Sequence, residues 1–188
     1  KALKRDLAHF NVHYDNWFSE RTLHPDAIQA ACKVLEERGK MYEKDGALWL
    51  ESTDYGDDKD RVVIRDNGVP TYLAADIAYH KNKYDRGFKK MINIWGADHH
   101  GHVARLKGAI DALGLDGTNR LDIVLMQLVK LVRDGEVVRM SKRTGKTISL
   151  SDLLDEIPVD ACRYFFNAKP DTQMDFDLGL AVREDSEN

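Results

Sequence analysis

Apolar residues recur at helical spacing in several stretches of the chain. In residues 25–39, Ile28, Ala31 and Leu35 share one face, with a proline in the first turn and a glycine at the end. This pattern predicts a helix. Similar patterns predict helices over residues 1–17, 75–87, 97–115, 149–157 and 158–168, and the start of another within 175–188.

Shorter runs rich in branched and aromatic residues predict strands. In residues 41–51 two such runs flank an Asp-Gly pair, which indicates a hairpin with a tight turn. Residues 61–74 indicate a strand, a turn at Asn-Gly and a second strand. Residues 90–96 and 121–132 predict further strands, and an Asp-Gly turn leads from the latter into 136–140.

A strand, a helix and a strand follow one another between residues 90 and 128. That order is typical of a parallel α/β unit, in which the helix crosses over the sheet. The sequence therefore predicts an α/β fold.

Composition narrows the class of protein. The chain has 188 residues, of which 43% are hydrophobic and 32% charged, and its net charge of -4 does not indicate a dedicated nucleic-acid-binding domain. No apolar run is long enough to span a membrane. Cys32 and Cys162 are too few and too far apart for a disulfide framework, and we expect both to be buried.

A histidine cluster follows the predicted strand 90–96. Gly96 ends that strand, and Asp98, His99, His100 and His102 come next, at the start of the predicted helix. Ligands of parallel sheets bind beyond the carboxyl ends of strands, so a nucleotide or substrate site is one interpretation. Two alternatives remain: the histidines only cap and pack, or Asp98, His99 and His102 bind a metal in a hydrolase.

A basic stretch, RMSKRTGK, occupies residues 139–146. A solvated charged turn is the simplest interpretation. A Walker A loop is effectively excluded, because that motif needs glycine at the position of Met140. Lys142 and Arg143 could instead donate to phosphate oxygens from a loop that small residues allow to close.

Both motifs resemble those of one enzyme class. RMSKR resembles the Lys-Met-Ser-Lys-Ser loop of class I aminoacyl-tRNA synthetases, and GADHHGH resembles their strand-end ribose motif. Other segments are similar to arginyl-tRNA synthetases in particular, in the order of that family: residues 16–20, 52–80, 129–143 and 174–181. The resemblance covers nearly the whole chain. It implies a partial Rossmann-like parallel sheet, the second half of a class I catalytic core, followed by helices.

The implied reaction has two steps. Arginine's carboxylate attacks the α-phosphate of ATP, which carries Mg²⁺, and the arginyl group then moves from AMP to tRNA(Arg). By resemblance, Tyr72 and Asp76 bind arginine, and His100 falls where the family often has a glutamine beside the substrate. No tightly bound metal is expected, and the implied location is cytoplasmic.

The resemblance also implies the ATP site. Gly96 and Asp98 match ribose contacts and His99 is expected to help there, while Val138 and Met140 match positions against adenine.

Lys142, Arg139 and Ser141 are the implied catalytic residues. Lys142 matches the lysine that stabilises the pyrophosphate leaving group. Arg139 stands where the family motif has its first lysine, and Arg143 replaces its last serine. The catalytic weight of Arg139 is therefore open.

The His-Ile-Gly-His motif of class I enzymes is absent from this sequence. We therefore expect a fragment that lacks an upstream half and an anticodon-binding domain and that is inactive alone. Residues 1–85 would form the end of a connecting insertion and the return to the catalytic fold, and 86–188 the second half of the nucleotide-binding fold. A non-catalytic module that binds nucleotide or tRNA, or a class I synthetase for another amino acid, remains an alternative.

Overall fold

The computed structural model describes residues 2–138, 148–168 and 173–183. The chain divides into two compact units: residues 18–125 form the middle unit, and the residues before and after them form the terminal unit. The first helix, α1 (Ala2–His9), belongs to the terminal unit. It confirms the first half of the helix predicted over 1–17, but residues 10–17 are not helical.

The middle unit combines helices with two small sheets. Its elements are a 3₁₀ helix (Glu20–Leu23), α2 (Asp26–Glu37), β1 (Met41–Lys44), β2 (Ala47–Leu50), a 3₁₀ helix (Ser52–Tyr55), β3 (Arg61–Ile64), α3 (Tyr72–Asp85), β4 (Met91–Gly96), a 3₁₀ helix (Ala97–His102), α4 (Val103–Ala112), α5 (Gly117–Arg120) and β5 (Leu121–Met126). Strands β1, β2 and β3 form an antiparallel sheet, and β4 pairs with β5.

One hydrophobic core holds this unit together. The apolar face predicted for α2 is buried, and its Leu35 is fully enclosed, as are Leu50 of β2 and Val63 of β3. Leu106 and Ile110 of α4 lie in the same cluster. Burying such side chains is the main favourable contribution to folding, so this core fixes the helices that carry the site.

Helix α3 begins three residues earlier than the periodicity predicts. The second strand expected after the Asn-Gly turn is reduced to a single bridge between Ile64 and Pro70. Thr71 is still tied to β3, because its amide donates to the carbonyl of Val63 at 2.9 Å, but the helix then starts at Tyr72. The predicted second strand was wrong here. The hydrogen bond between Thr71 and Val63 is a tertiary contact that the periodicity does not show, and the extended backbone ends there.

The terminal unit has its own small sheet and core. Its further elements are β6 (Val129–Arg133), β7 (Glu136–Val137), α6 (Leu150–Leu154), α7 (Val159–Ala168), β8 (Met174–Asp177) and a 3₁₀ helix (Leu180–Val182). Strand β6 pairs antiparallel with β7 and parallel with β8. Phe176, Ile157 and Cys162 are the centre of its core, and Arg163 donates to the carbonyl of Phe10 at 3.0 Å.

Two predictions for the second half of the chain needed correction. The single strand expected over 121–132 is two strands, β5 and β6, interrupted at residues 127–128. The sequence predicts that a helix begins within 175–188. In the described part of that range, residues 175–183, the structure has the end of β8 and a short 3₁₀ helix instead, and Phe176 is buried against the core from a strand paired with β6.

The α/β fold class is confirmed. The parallel pairing of β6 with β8 and the order β4, α4, β5 agree with the predicted architecture, although antiparallel pairs also contribute. Both cysteines are free and buried, as predicted. Among the helices in the described ranges, none has the length and apolarity that a membrane crossing requires.

Candidate active site

A cleft of about 670 Å³ in the middle unit collects most of the described candidate residues. Its walls come from β3, the first turns of α3 and the 3₁₀ helix that follows β4. The lining residues include Tyr72, Asp76, Asp98 and His99. The structure therefore brings Tyr72 and Asp76, the predicted arginine-binding pair, to one cavity with Asp98 and His99, two of the predicted ATP-binding residues.

Tyr72 and Asp76 lie one helical turn apart at the start of α3. Residues four positions apart share one face of a helix, and both side chains line the cleft. Tyr72 is 83% exposed, and the Asp76 side chain retains 41% of its accessible surface. An open aromatic ring beside a carboxylate suits a planar cation such as guanidinium, through stacking and charge-assisted hydrogen bonds.

Gly96 has a steric reason at the end of β4. A Cβ atom built there would stand 2.6 Å from Oδ1 of Asp98, so a side chain at this position would force the exposed carboxylate to move aside. Asp98 and His99 remain largely exposed, at 79% and 62% of their side-chain surfaces. Their polar atoms are therefore accessible at the strand end, where sugar hydroxyls of a nucleotide could reach them.

His102 is bonded to Asp76. Its Nε2 lies 3.0 Å from Oδ2 of that carboxylate, and the His102 side chain is only 19% exposed. The metal-site interpretation had placed His102 with Asp98 and His99, but in the described residues no group of three potential ligands is close enough to hold an ion. The structure thus gives His102 a protein partner.

A buried carboxylate stands behind His102. Nδ1 of His102 lies 3.3 Å from Arg105, and Nε of Arg105 lies 3.3 Å from Oδ2 of Asp57. Asp57 is 5% exposed at its side chain and also accepts two hydrogen bonds of 2.8 Å from Arg61. The Arg61 guanidinium holds the pKa of Asp57 well below its usual range.

A second histidine holds the backbone of Asp76. Nδ1 of His80 lies 2.7 Å from the Asp76 carbonyl oxygen, and Nε2 lies 2.8 Å from Nδ2 of Asn93. His80 and Asn93 are both buried. Burial, with the nearby charge of Lys83, lowers the pKa of His80. A neutral imidazole that donates to the carbonyl and accepts from the amide gives both ring nitrogens of His80 a partner.

Other candidates lie elsewhere. His100 is exposed but does not line the cleft, where its neighbours His99 and His102 do. Val138 belongs to the terminal unit, is partly buried, and its amide donates to the carbonyl of Leu131 at 2.8 Å. The remaining predicted residues, Arg139, Met140, Ser141 and Lys142, lie outside the described residues.

Sequence reasoning missed the network of charged residues around His102, of which Arg61 and Arg105 also line the cleft. It treated His102 as one member of the histidine cluster, with capping, metal binding and a nucleotide site as alternatives, and it assigned nothing to Asp57, Arg61 or Arg105. Two spacings were available as signals: Asp57 and Arg61 are four residues apart, and His102 and Arg105 are three apart on a predicted helix. Neither spacing shows that Arg105 of the second pair also contacts Asp57 of the first.

The fold and this cleft define a class I tRNA synthetase catalytic domain. The chain belongs to the family described as "tRNA synthetases class I (R), catalytic domain", whose model matches residues 2–178. The letter R denotes arginine, which favours that family over a class I synthetase for another amino acid.

Curated relatives carry the corresponding name. An arginine–tRNA ligase of Moorella thermoacetica is 57% identical over 189 residues, which cover 100% of this chain and 34% of that protein. An arginine–tRNA ligase of Carboxydothermus hydrogenoformans is also 57% identical, over 190 residues. The chain thus spans about a third of the length of these relatives.

Solved structures agree. A Campylobacter jejuni protein described as an arginyl-tRNA synthetase superimposes with a TM-score of 0.91 and 47% identity, over 98% of this chain and 40% of that one. The Thermus thermophilus arginyl-tRNA synthetase shares the fold, with a TM-score of 0.70 at 17% identity over 95% of this chain and 40% of that one.

Proposed function

We propose that this chain supplies part of the active site of an arginine–tRNA ligase. Such an enzyme activates arginine with ATP to arginyl-adenylate and then transfers the arginyl group to tRNA(Arg). The observation that carries the proposal is the pairing of exposed Tyr72 with the Asp76 carboxylate in one cleft, in a chain of this family. These are the side chains that a guanidinium ligand requires.

Arginine binding falls to the start of α3. The Asp76 carboxylate would receive the guanidinium N–H groups, and the Tyr72 ring would cover the guanidinium plane. His100 would assist from the adjacent turn, although its position outside the cleft lining gives this assignment no support.

ATP binding falls to the end of β4 and to the basic loop. Asp98 would accept from the ribose hydroxyls, with Gly96 leaving room and His99 assisting. Val138 and Met140 would contact adenine mainly through their backbone. ATP would enter as its Mg²⁺ complex, as a substrate.

The chemistry is a displacement at phosphorus. The arginine carboxylate oxygen forms a bond to the α-phosphorus while the bond to the pyrophosphate oxygen breaks, so negative charge grows on the leaving group. Lys142, with Arg139 and Ser141, would stabilise that charge, and fixed cationic donors are effective in this role. The tRNA 3′-terminal hydroxyl then attacks the arginyl carbonyl and releases AMP.

The proposal also covers the place of this chain in the complete ligase. Residues 1–85 would end a connecting insertion and 86–188 would complete the nucleotide-binding fold. We expect the 188-residue chain by itself to lack arginylation activity, and the complete ligase to act in the cytoplasm. Robust activity of the isolated chain would refute the first expectation.

The test uses a complete ligase that contains this chain. In such a chimera, the 188 residues replace the matching third of the Moorella thermoacetica enzyme. Asp76→Asn should raise the KM for arginine roughly 10- to 100-fold, because a guanidinium loses its charged partner. Asp85→Asn, a change of the same type at the exposed far end of α3, is the matched control and should leave that KM unchanged. An equal KM for Asp76→Asn and unaltered chimera would overturn the arginine site.

A further inference from the structure

We propose that His102 is a positioning residue for Asp76, and that Arg105 determines which ring nitrogen of His102 carries the proton. The inference rests on the proposed function, since it assumes that Asp76 receives the guanidinium of arginine. It assigns a role to side chains that do not themselves need to touch the substrate.

Hydrogen-bond chemistry determines the tautomer. An arginine guanidinium has donors and no acceptor, and it stays charged in proteins. The His102 Nδ1 that lies 3.3 Å from Arg105 must therefore accept, so it carries no proton. The proton of the neutral ring then sits on Nε2, from which it is donated to Oδ2 of Asp76 over 3.0 Å.

This tautomer preserves the negative charge of Asp76. A doubly protonated His102 would place a positive charge beside Asp76 and would oppose the binding of a cationic substrate. A neutral ring bonded through Nε2 fixes the carboxylate and leaves its charge for the ligand. Within the described residues, His102 donates to Oδ2 of Asp76, so Oδ1 of that carboxylate is left as the acceptor for a substrate N–H.

The fold in turn fixes Arg105. Its anchor is Asp57, a nearly buried carboxylate that Arg61 also binds from β3. Because a buried carboxylate with two guanidinium partners is costly to separate, Arg105 cannot readily leave its place beside His102. The ring of Trp95 packs beside that of His102, with the two ring centroids 5.4 Å apart.

Asp76 is held at both ends by histidines of opposite tautomers. His80 donates through Nδ1 to the Asp76 carbonyl, because that oxygen can only accept, and its Nε2 accepts from Asn93. His102 donates through Nε2 to the carboxylate. Backbone and side chain of this one residue are thus positioned independently, as preorganised binding of a planar cation requires.

The first experiment measures the tautomer itself. In the 188-residue chain labelled with ¹⁵N-histidine, a long-range ¹H–¹⁵N correlation spectrum shows which ring nitrogen carries a proton. We expect Nε2–H for His102 and Nδ1–H for His80, and loss of the single Nε2–H form of His102 in Arg105→Met. A proton on Nδ1 of His102 in the unaltered chain would overturn the proposal.

The second experiment measures the consequence in the chimeric ligase. His102→Leu should raise the arginine KM roughly tenfold, since one charge-assisted hydrogen bond that orients Asp76 is lost, with the KM for ATP nearly unchanged. His102→Gln should restore most of the affinity, because its amide can donate to Asp76 and accept from Arg105. His13→Leu, at an exposed histidine of the terminal unit, is the control.

The outcomes separate the two proposals. If Asp76→Asn raises the arginine KM and His102→Leu does not, the positioning role is wrong and the arginine site stands. If neither variant changes the arginine KM, the proposed function itself is wrong. A glutamine variant as impaired as the leucine variant would also contradict the positioning role, since both hydrogen bonds would then be irrelevant.

Discussion

Gly108 of α4 lies directly against Tyr55 of the 3₁₀ helix Ser52–Tyr55. A Cβ atom at Gly108 would stand 2.6 Å from Cβ of Tyr55 and 3.3 Å from its carbonyl oxygen. These atoms belong to the backbone or are attached to it, so they cannot move aside as a flexible side chain would. This close approach joins α4, which carries Arg105, to the segment that leads to Asp57.

Gly108→Ala should therefore destabilise the chain. Alanine favours a helix by about 1 kcal/mol over glycine, but overpacking against a fixed backbone typically costs 1–3 kcal/mol, with the balance at this short distance unfavourable. We expect a lower urea midpoint of unfolding for the 188-residue chain. Gly101→Ala, where a Cβ meets nothing within 4 Å, is the control and should not lower it. A Gly108→Ala variant as stable as that control would contradict the packing described.

Removal of the Asp57 carboxylate should have a larger effect. Asp57→Asn leaves Arg61 and Arg105 without their shared counter-ion, which we expect to cost about 3 kcal/mol of unfolding free energy. Asp58→Asn, at a largely exposed partner of Arg61, should cost less than about 1 kcal/mol. Urea titrations of both variants at neutral pH make the comparison. Equal losses would mean that the buried pair has no special weight.

The same carboxylate gives a pH dependence. Because its pKa is lowered in the folded chain, Asp57 contributes stability that is present above the pKa of an unfolded aspartate, about 4, and is lost as the pH falls below it. The difference in stability between the unaltered chain and Asp57→Asn should therefore shrink below pH ~4. A constant difference down to acid unfolding would contradict this linkage.

Cys32 should be inert while the chain is folded. Its side chain lies in the core, and burial, with the nearby charge of Glu36, raises the pKa of the thiol to about 11. Only the thiolate reacts with iodoacetamide, so we expect slow modification at pH 8 that becomes fast in guanidinium chloride. Mass spectrometry of the peptide that contains Cys32 follows the reaction. Equal rates in the folded and denatured chain would show that the site opens.

Local signals were sufficient for much of the fold. The helix over 25–39 appears as α2, and the Asp45–Gly46 pair forms the two-residue turn between β1 and β2 with positive φ at both positions, as such turns require. Spacing and turn chemistry act over a few residues, and a sequence displays them directly.

Long-range pairing was not predictable in this way. β8 forms because it pairs with the edge of β6. Helix α3 starts directly after Thr71, whose amide donates to Val63 of β3. The contact between His102 and Asp76 joins residues 26 positions apart through two helices. Composition and periodicity do not show which distant residues come into contact. The sequence therefore indicated several residues of the cleft but not the hydrogen bonds that link His102, Arg105 and Asp57.

The basic loop gives a kinetic prediction. In the chimeric ligase, Lys142→Ala should lower the rate of arginine activation by about 10²-fold, as loss of one preorganised donor to developing charge does. Lys146→Ala lies in the same stretch but outside the motif and should have little effect. Rapid-quench measurement of adenylate formation distinguishes the two. An unchanged rate for Lys142→Ala would reduce the loop to a charged turn.

The central claim is that this chain completes an enzyme that activates arginine. ATP–pyrophosphate exchange by the chimeric ligase, measured with a panel of amino acids with and without tRNA, tests it most directly. We predict exchange with arginine alone among the amino acids, and only when tRNA is present. Exchange with another amino acid would contradict the roles of Tyr72 and Asp76, and no exchange with any amino acid would contradict catalysis and favour a binding module.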